Sequence, residues 1–261
     1  MPALFGNFIG FQTVIKKEVS RFLNVYLQTV IAPVITTFLF YIVFATVFAG
    51  SRKAVLDEPF MLFLAPGLIM MNMAQNAFSN TSSSLMIGKM QNSIQDVLMA
   101  PITSFELLAG YVIGGIIRGV MIGFVAMAVM GPIIGLPMRE PLVILSFAVL
   151  GCSMMSVLGV MAGLWAVKFD HIAAITNFVI LPMTFLSGTF YLLERLGPLW
   201  EKVGHFNPFF YMIDGFRYGF LGKGDADPLV GGLILLAINI VLWGLAYKLV
   251  DSGYKIKSET G

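Results

Sequence analysis

The sequence predicts an all-α polytopic membrane protein: six transmembrane helices, an N-terminal interfacial helix, and two short re-entrant helices between spans 5 and 6. Three observations carry this. First, 58% of the 261 residues are hydrophobic and only 11% are charged, against about 45–50% and 25% in an ordinary globular domain. So few charges cannot cover the surface of a soluble fold this size. Second, mean hydropathy is +0.88, and 23 Phe with 17 Met exclude intrinsic disorder. Third, the apolar runs reach the length of about 20 residues that a hydrocarbon core demands.

The elements follow in order along one domain, 1–261. Phe8, Phe11, Ile15, Val19 and Phe22 recur at three- and four-residue spacing, with Gln12, Lys16, Lys17 and Ser20 elsewhere around the wheel. A helix lying in the headgroup plane has this pattern; so does an ordinary cytoplasmic helix. Lys16, Lys17 and Arg21 precede the apolar run Val25 to Ala49. That run exceeds the about 7–15 residues of a secretory signal core, so it reads as a retained span. Span 1 is placed at about 26–49 and span 2 at about 59–81, joined by the charged turn Ser51 to Glu58. Span 3 runs about 105–130, span 4 about 142–167, span 5 about 172–189 and span 6 about 228–250. Six spans put both termini on one side. Lys and Arg are only slightly more abundant on that side, but the cluster beside span 1 places both termini in the cytoplasm.

The stretch between spans 5 and 6 is not an ordinary loop. Leu192 to Phe206 is amphipathic and broken at Gly197-Pro198, and Asn207-Pro208 then opens a segment to Leu221. Asn is a good N-cap and Pro suits the first helical turn. Phe209, Phe210, Tyr211, Phe216, Tyr218 and Phe220, beside charges, indicate the membrane–water interface. Two short helices dipping into the outer leaflet satisfy this pattern, with Asp214 and Arg217 spaced to pair.

Several residues stand out chemically. Asn72, Asn76 and Asn80 step by four along span 2, with Gln75, Ser79 and Ser83 nearby. Amides facing lipid are disfavoured, so this face either lines a translocation path or bonds to other helices. Arg118 is the one ionisable residue deep in a span. At the bilayer centre it costs on the order of 3 kcal/mol or more unless it faces the bundle or water. It either reads an anionic substrate group or ties to span 2 amides, and Gly114, Gly115 and Gly119 allow close helix approach around it. Between spans 2 and 3, Met90, Ile94, Val97 and Leu98 form an apolar stripe on a short amphipathic helix that Pro101 stops. Thr103 and Glu106 form a capping box for span 3. Cys152 is the sole cysteine, and His171 and His205 lie far apart, so no metal cluster is expected. A net charge of +2 gives no reason to expect nucleic acid.

Leu186-Ser187-Gly188-Thr189-Phe190, then Asn207-Pro208 and Arg217, resemble the signature of type-2 ABC exporter permeases. Lys17-Glu18, Arg21 and Pro33 resemble that family's basic amphipathic start and span 1 proline. Gln95 to Pro101 looks like its cytoplasmic acidic segment, with Glu106 and Gly110 following in place. Asp96 departs from the pattern, standing where many relatives carry Glu. The resemblance covers nearly the whole chain. It implies a permease half that pairs with a second copy of itself and with a separate ABC ATPase in the cell inner membrane. The helix at 89–100 looks like that family's coupling helix, the other reading being a helix that rests on lipid; as a coupling helix, its stripe would insert Ile94, Val97 and Leu98 into a groove of the ATPase beside Asp96.

The sequence agrees that the motor is elsewhere. Gly88-Lys89 and Gly222-Lys223 lack the spaced glycine and following Ser or Thr of a P-loop. The chain is therefore expected to be no enzyme and to hold no cofactor, with ATP and magnesium in the partner. The expected function is outward transport of a lipid, glycolipid, polysaccharide or hydrophobic drug. An ion-coupled secondary transporter is the alternative, weakened by the lack of paired intramembrane carboxylates and repeat halves. A non-transport membrane protein such as an intramembrane enzyme ranks below it, since the spans hold no catalytic cluster.

Overall fold

The computed structural model describes residues 6–48, 58–193 and 197–255, and side chains throughout these except those of Phe48, Asp96, Val97 and Leu98. The turn from Ser51 to Asp57 and the end of the tail lie outside the described residues. So do the side chains of Asp96, Val97 and Leu98 on which the expected ATPase contact rests.

Among the described residues every regular element is helical. The order is α1 (Phe8–Leu23), α2 (Ala32–Phe48), α3 (Phe60–Met90), α4 (Ser93–Met99), α5 (Ser104–Ile134), α6 (Pro141–Trp165), α7 (Phe169–Ile175), α8 (Leu181–Phe185), α9 (Pro198–Phe206), α10 (Pro208–Leu221) and α11 (Pro228–Asp251). Among the described residues five helices are long and apolar enough to cross a membrane: α2 with its preceding turn, α3, α5, α6 and α11. The sixth expected span is shorter. α7, the π-turn Thr176–Ile180 and α8 run on as one apolar helix, Phe169–Phe185. At about 1.5 Å per residue it is about 26 Å long, below the about 30 Å of a hydrocarbon core.

Two π-turns, Leu27–Ile31 and Thr176–Ile180, end two residues before Pro33 and Pro182. A proline ring clashes with the carbonyl four residues back and donates no hydrogen bond. Widening the preceding turn moves that carbonyl aside, so the helix continues past the proline.

α3 and α6 are the most enclosed spans, packed on each other and on α5; α2 and α11 are the least enclosed. Glycines set the close approaches. A Cβ on Gly115 would come within 2.3 Å of Ser156 Oγ, and one on Gly159 within 2.1 Å of Thr81 Oγ1. Small residues replace a hydrophobic drive between helices in lipid. α3 runs to Met90, beyond the expected end near 81, because Thr81, Ser82 and Ser84 are buried against neighbours. Lys89 thus belongs to the last turn of α3, and the separate amphipathic helix shrinks to α4.

α10 begins and ends as expected. Asn207 caps it by accepting from Phe209 N at 3.1 Å, and Gly222, at φ 67°, closes it. Asn207 Nδ2 also donates to Met183 O at 2.7 Å, tying α10 to α8.

Candidate functional site

The three asparagines of α3 each hold a different helix. Asn72 Nδ2 donates to Pro33 O at 2.7 Å and to Thr37 Oγ1, both on α2. Asn76 Oδ1 accepts from Arg118 Nη2 of α5 at 2.9 Å. Asn80 accepts from Arg21 Nη2 of α1, through its carbonyl and its Oδ1, both at 2.8 Å. Asn76 Nδ2 also donates to Asn72 Oδ1 at 2.6 Å, so one chain of donors runs from Arg118 through Asn76 and Asn72 to Pro33. Each of the three amides thus bonds to another helix. Arg118 is only 9% exposed and is held by Asn76, while its Nε has no partner among the described residues.

α1 is not merely laid on lipid. Its inward row is Val14, Glu18 and Phe22, all buried, while Phe8 and Ile9 remain exposed. The row fits against Gly110 and Gly114 of α5: a Cβ on either would come within 2.6 Å of Val14 or Glu18. Glu18 is fully buried. It accepts from Ser84 Oγ at 2.7 Å and pairs with Arg21 at 3.3 Å and Lys17 at 3.9 Å. Glu106 clamps the start of α1 to α5. It accepts from Asn7 N and Thr103 N, both at 2.8 Å, and completes the expected capping box.

The open side of α3 is polar. Asn72, Gln75, Asn76 and Ser83 are partly exposed and Ser79 is exposed, at three- and four-residue steps down one face. At its upper end a groove of about 360 Å³ lies between α2 and α3, with Gln75 and Asn76 beside Leu68, Met71 and Phe40. Asn80, one turn beyond Asn76, is buried beneath Arg21.

A second constellation surrounds Arg217, which is 1% exposed. Its Nε donates to Phe63 O at 3.2 Å, and its Nη2 to Gly188 O at 2.8 Å and Thr189 O at 3.4 Å. Its guanidinium lies 3.7 Å from the centre of the Phe63 ring. Asp214 pairs with it at 3.6 Å, as the spacing predicted, and accepts from Asp225 N and Ala226 N. Gly188 adopts φ 72°, which turns its carbonyl toward Arg217 without a Cβ penalty. The Gly188, Asn207, Pro208, Asp214 and Arg217 set is thus one structural knot. It joins the start of α3, the end of α8, α10 and the loop before α11.

α4 corrects one expectation. Ile94 is 2% exposed and packs among Leu85, Leu107, Leu108 and Leu164, so its side chain belongs to this chain's core. An amphipathic helix pressed onto the bundle turns part of its apolar stripe inward. The side facing out carries Gln95 and Met99, the last 78% exposed, and Gln91 is exposed just before the helix.

Lys89 opens the helix expected at 89–100 but lies in the last turn of α3. It is buried, and its Nζ donates to Gly163 O, Leu164 O and Ala166 O at 3.1, 2.8 and 2.5 Å. These carbonyls close α6, where a cation satisfies orphan acceptors and the helix dipole. Among the described residues no group of three or more His, Cys, Asp and Glu could hold a metal ion.

Residues 9–221 match the family model described as ABC-2 type transporter. The chain is similar to the inner membrane transport permease YadH of Escherichia coli strain K12. The two are 35% identical over 251 residues, which is 96% of this chain and 98% of that protein. The YadH proteins of Escherichia coli O157:H7 and Shigella flexneri match to the same extent.

Proposed function

We propose that this chain, which belongs to the ABC-2 type transporter family, is one half of an ATP-driven exporter of the cell inner membrane. Two copies face each other across the polar side of α3, and a separate ABC ATPase, with ATP and magnesium, supplies the power. The observation that carries this reading is the open stripe of Asn72, Gln75, Asn76, Ser79 and Ser83. Hydrogen-bonding groups on a transmembrane helix do not face lipid; they face protein or water. Among the described residues this stripe is covered only in part, so a second copy and a wet path between the copies cover the rest.

The remaining parts fit that arrangement. The helix Phe169–Phe185 serves as a sixth, short span, and α9 and α10 form the re-entrant pair beside it. Both termini then share the cytoplasmic side with α4, whose outward Gln95 and Met99 meet the ATPase together with Asp96, Val97 and Leu98 and the preceding Gln91. The cargo is a lipid, glycolipid, polysaccharide or hydrophobic drug.

Ser79→Cys tests the stripe. The native Cys152 is fully buried, so it adds no background labelling. In membrane vesicles, a charged maleimide is expected to modify Cys at position 79 readily. Modification by a lipid-soluble maleimide alone would place the stripe against lipid and remove the basis for a path.

A further inference from the structure

We propose that Arg21 and Arg118 form a binding site for the phosphate headgroup of an anionic lipid, whose acyl part lies in the groove between α2 and α3. The proposal rests on the reading above, in that this groove is the upper part of the open face of α3.

Three observations lead to it. First, positive charge is in excess. Arg21 and Arg118 are bound to Asn80 and Asn76, one turn apart on α3, hence about 5–6 Å along the helix. Glu18 is the carboxylate paired in this cluster, and it is already shared among Arg21, Lys17 and Ser84. Second, the cluster carries buried donors with no partner: Arg21 Nε, Arg118 Nε, Asn80 Nδ2 and Gln75 Nε2. All four are N–H groups; what they lack is an acceptor. A phosphate offers several acceptor oxygens and the missing negative charge, and guanidinium recognises it by charge-assisted hydrogen bonds. Third, the groove above is shaped for a tail. Asn76, which holds Arg118, also lines the groove of about 360 Å³, where the apolar Pro33, Phe40, Leu68 and Met71 alternate with polar residues such as Thr37 and Gln75. Arg21 is 27% exposed, which leaves the charged end open to the leaflet beside α1. Charge at one end and apolar walls at the other select an amphiphile over a free ion.

The test is native mass spectrometry of the detergent-purified chain titrated with phosphatidylglycerol, phosphatidylcholine or inorganic phosphate. The unaltered chain is expected to retain phosphatidylglycerol about tenfold better than phosphatidylcholine, as one added charge-assisted contact implies. Arg118→Gln keeps an amide donor for Asn76 and loses the charge, so it should bring the two lipids level while the chain stays folded. Equal retention of both lipids by the unaltered chain overturns the proposal, and this arm needs no variant. Undiminished preference in Arg118→Gln overturns it too. Inorganic phosphate binding without any lipid preference overturns the lipid assignment and marks an ion site. A lipid preference in a chain that never pairs would sink the dimeric path and leave this site standing; paired chains without preference would do the reverse.

Discussion

Arg217→Gln is expected to lower the stability of the folded chain by about 3–5 kcal/mol, the cost of removing one partner from a buried ion pair. The guanidinium donates to three backbone carbonyls, stacks on Phe63 and faces Asp214. Glutamine is shorter and cannot reach Phe63 O and Gly188 O together. Asp214 would keep its two backbone donors and lose its counter-charge in a site where it is 1% exposed. The knot spans four parts of the chain, so the loss should appear as global unfolding at lower temperature in detergent. An unchanged melting temperature would show that Phe63, Gly188 and Thr189 hold together without the arginine.

Gly114→Leu should release α1 from the bundle. A Cβ alone would sit 2.6 Å from Glu18 Cβ, and the leucine adds three more carbons in the same gap. Overpacking costs about 1–3 kcal/mol. Displacing Glu18 also breaks its charged hydrogen bond to Ser84, worth about 1.5–3 kcal/mol. The consequence is local: amide exchange in Phe8–Leu23 should accelerate while α6 and α10 stay protected. Uniform protection across the chain would mean that α1 shifts without cost.

How far the sequence revealed these sites depends on how local each cause is. The capping box at Thr103 and Glu106, the α10 boundaries and the Asp214–Arg217 pair arise within one or two turns, and their spacing predicted them. The asparagine face was legible as polar, but not which helix each amide would meet; Asn80 turned inward to Arg21 while Asn76 took Arg118. Ile94 sits in a stripe whose inner and outer members look alike until α4 is laid on α5. The burial of Lys89 left no local trace, because its partners, the last carbonyls of α6, are over seventy residues away. Glu18 did leave a signal: an acid in line with Val14 and Phe22 on an otherwise apolar row, opposite glycines four apart at 110 and 114. The family match across residues 9–221 agrees with the resemblance carried by the Gly188-to-Arg217 motifs.

The pairing of two chains across α3 is tested most directly by the mass of the complex that this permease forms with its ATPase in a nanodisc. Each copy of the chain contributes 28.5 kDa. The expected result is two copies of this chain in every complex that couples ATP hydrolysis to transport. A transport-competent complex holding a single copy would contradict the account, because the polar face of α3 would then have no second copy to enclose it.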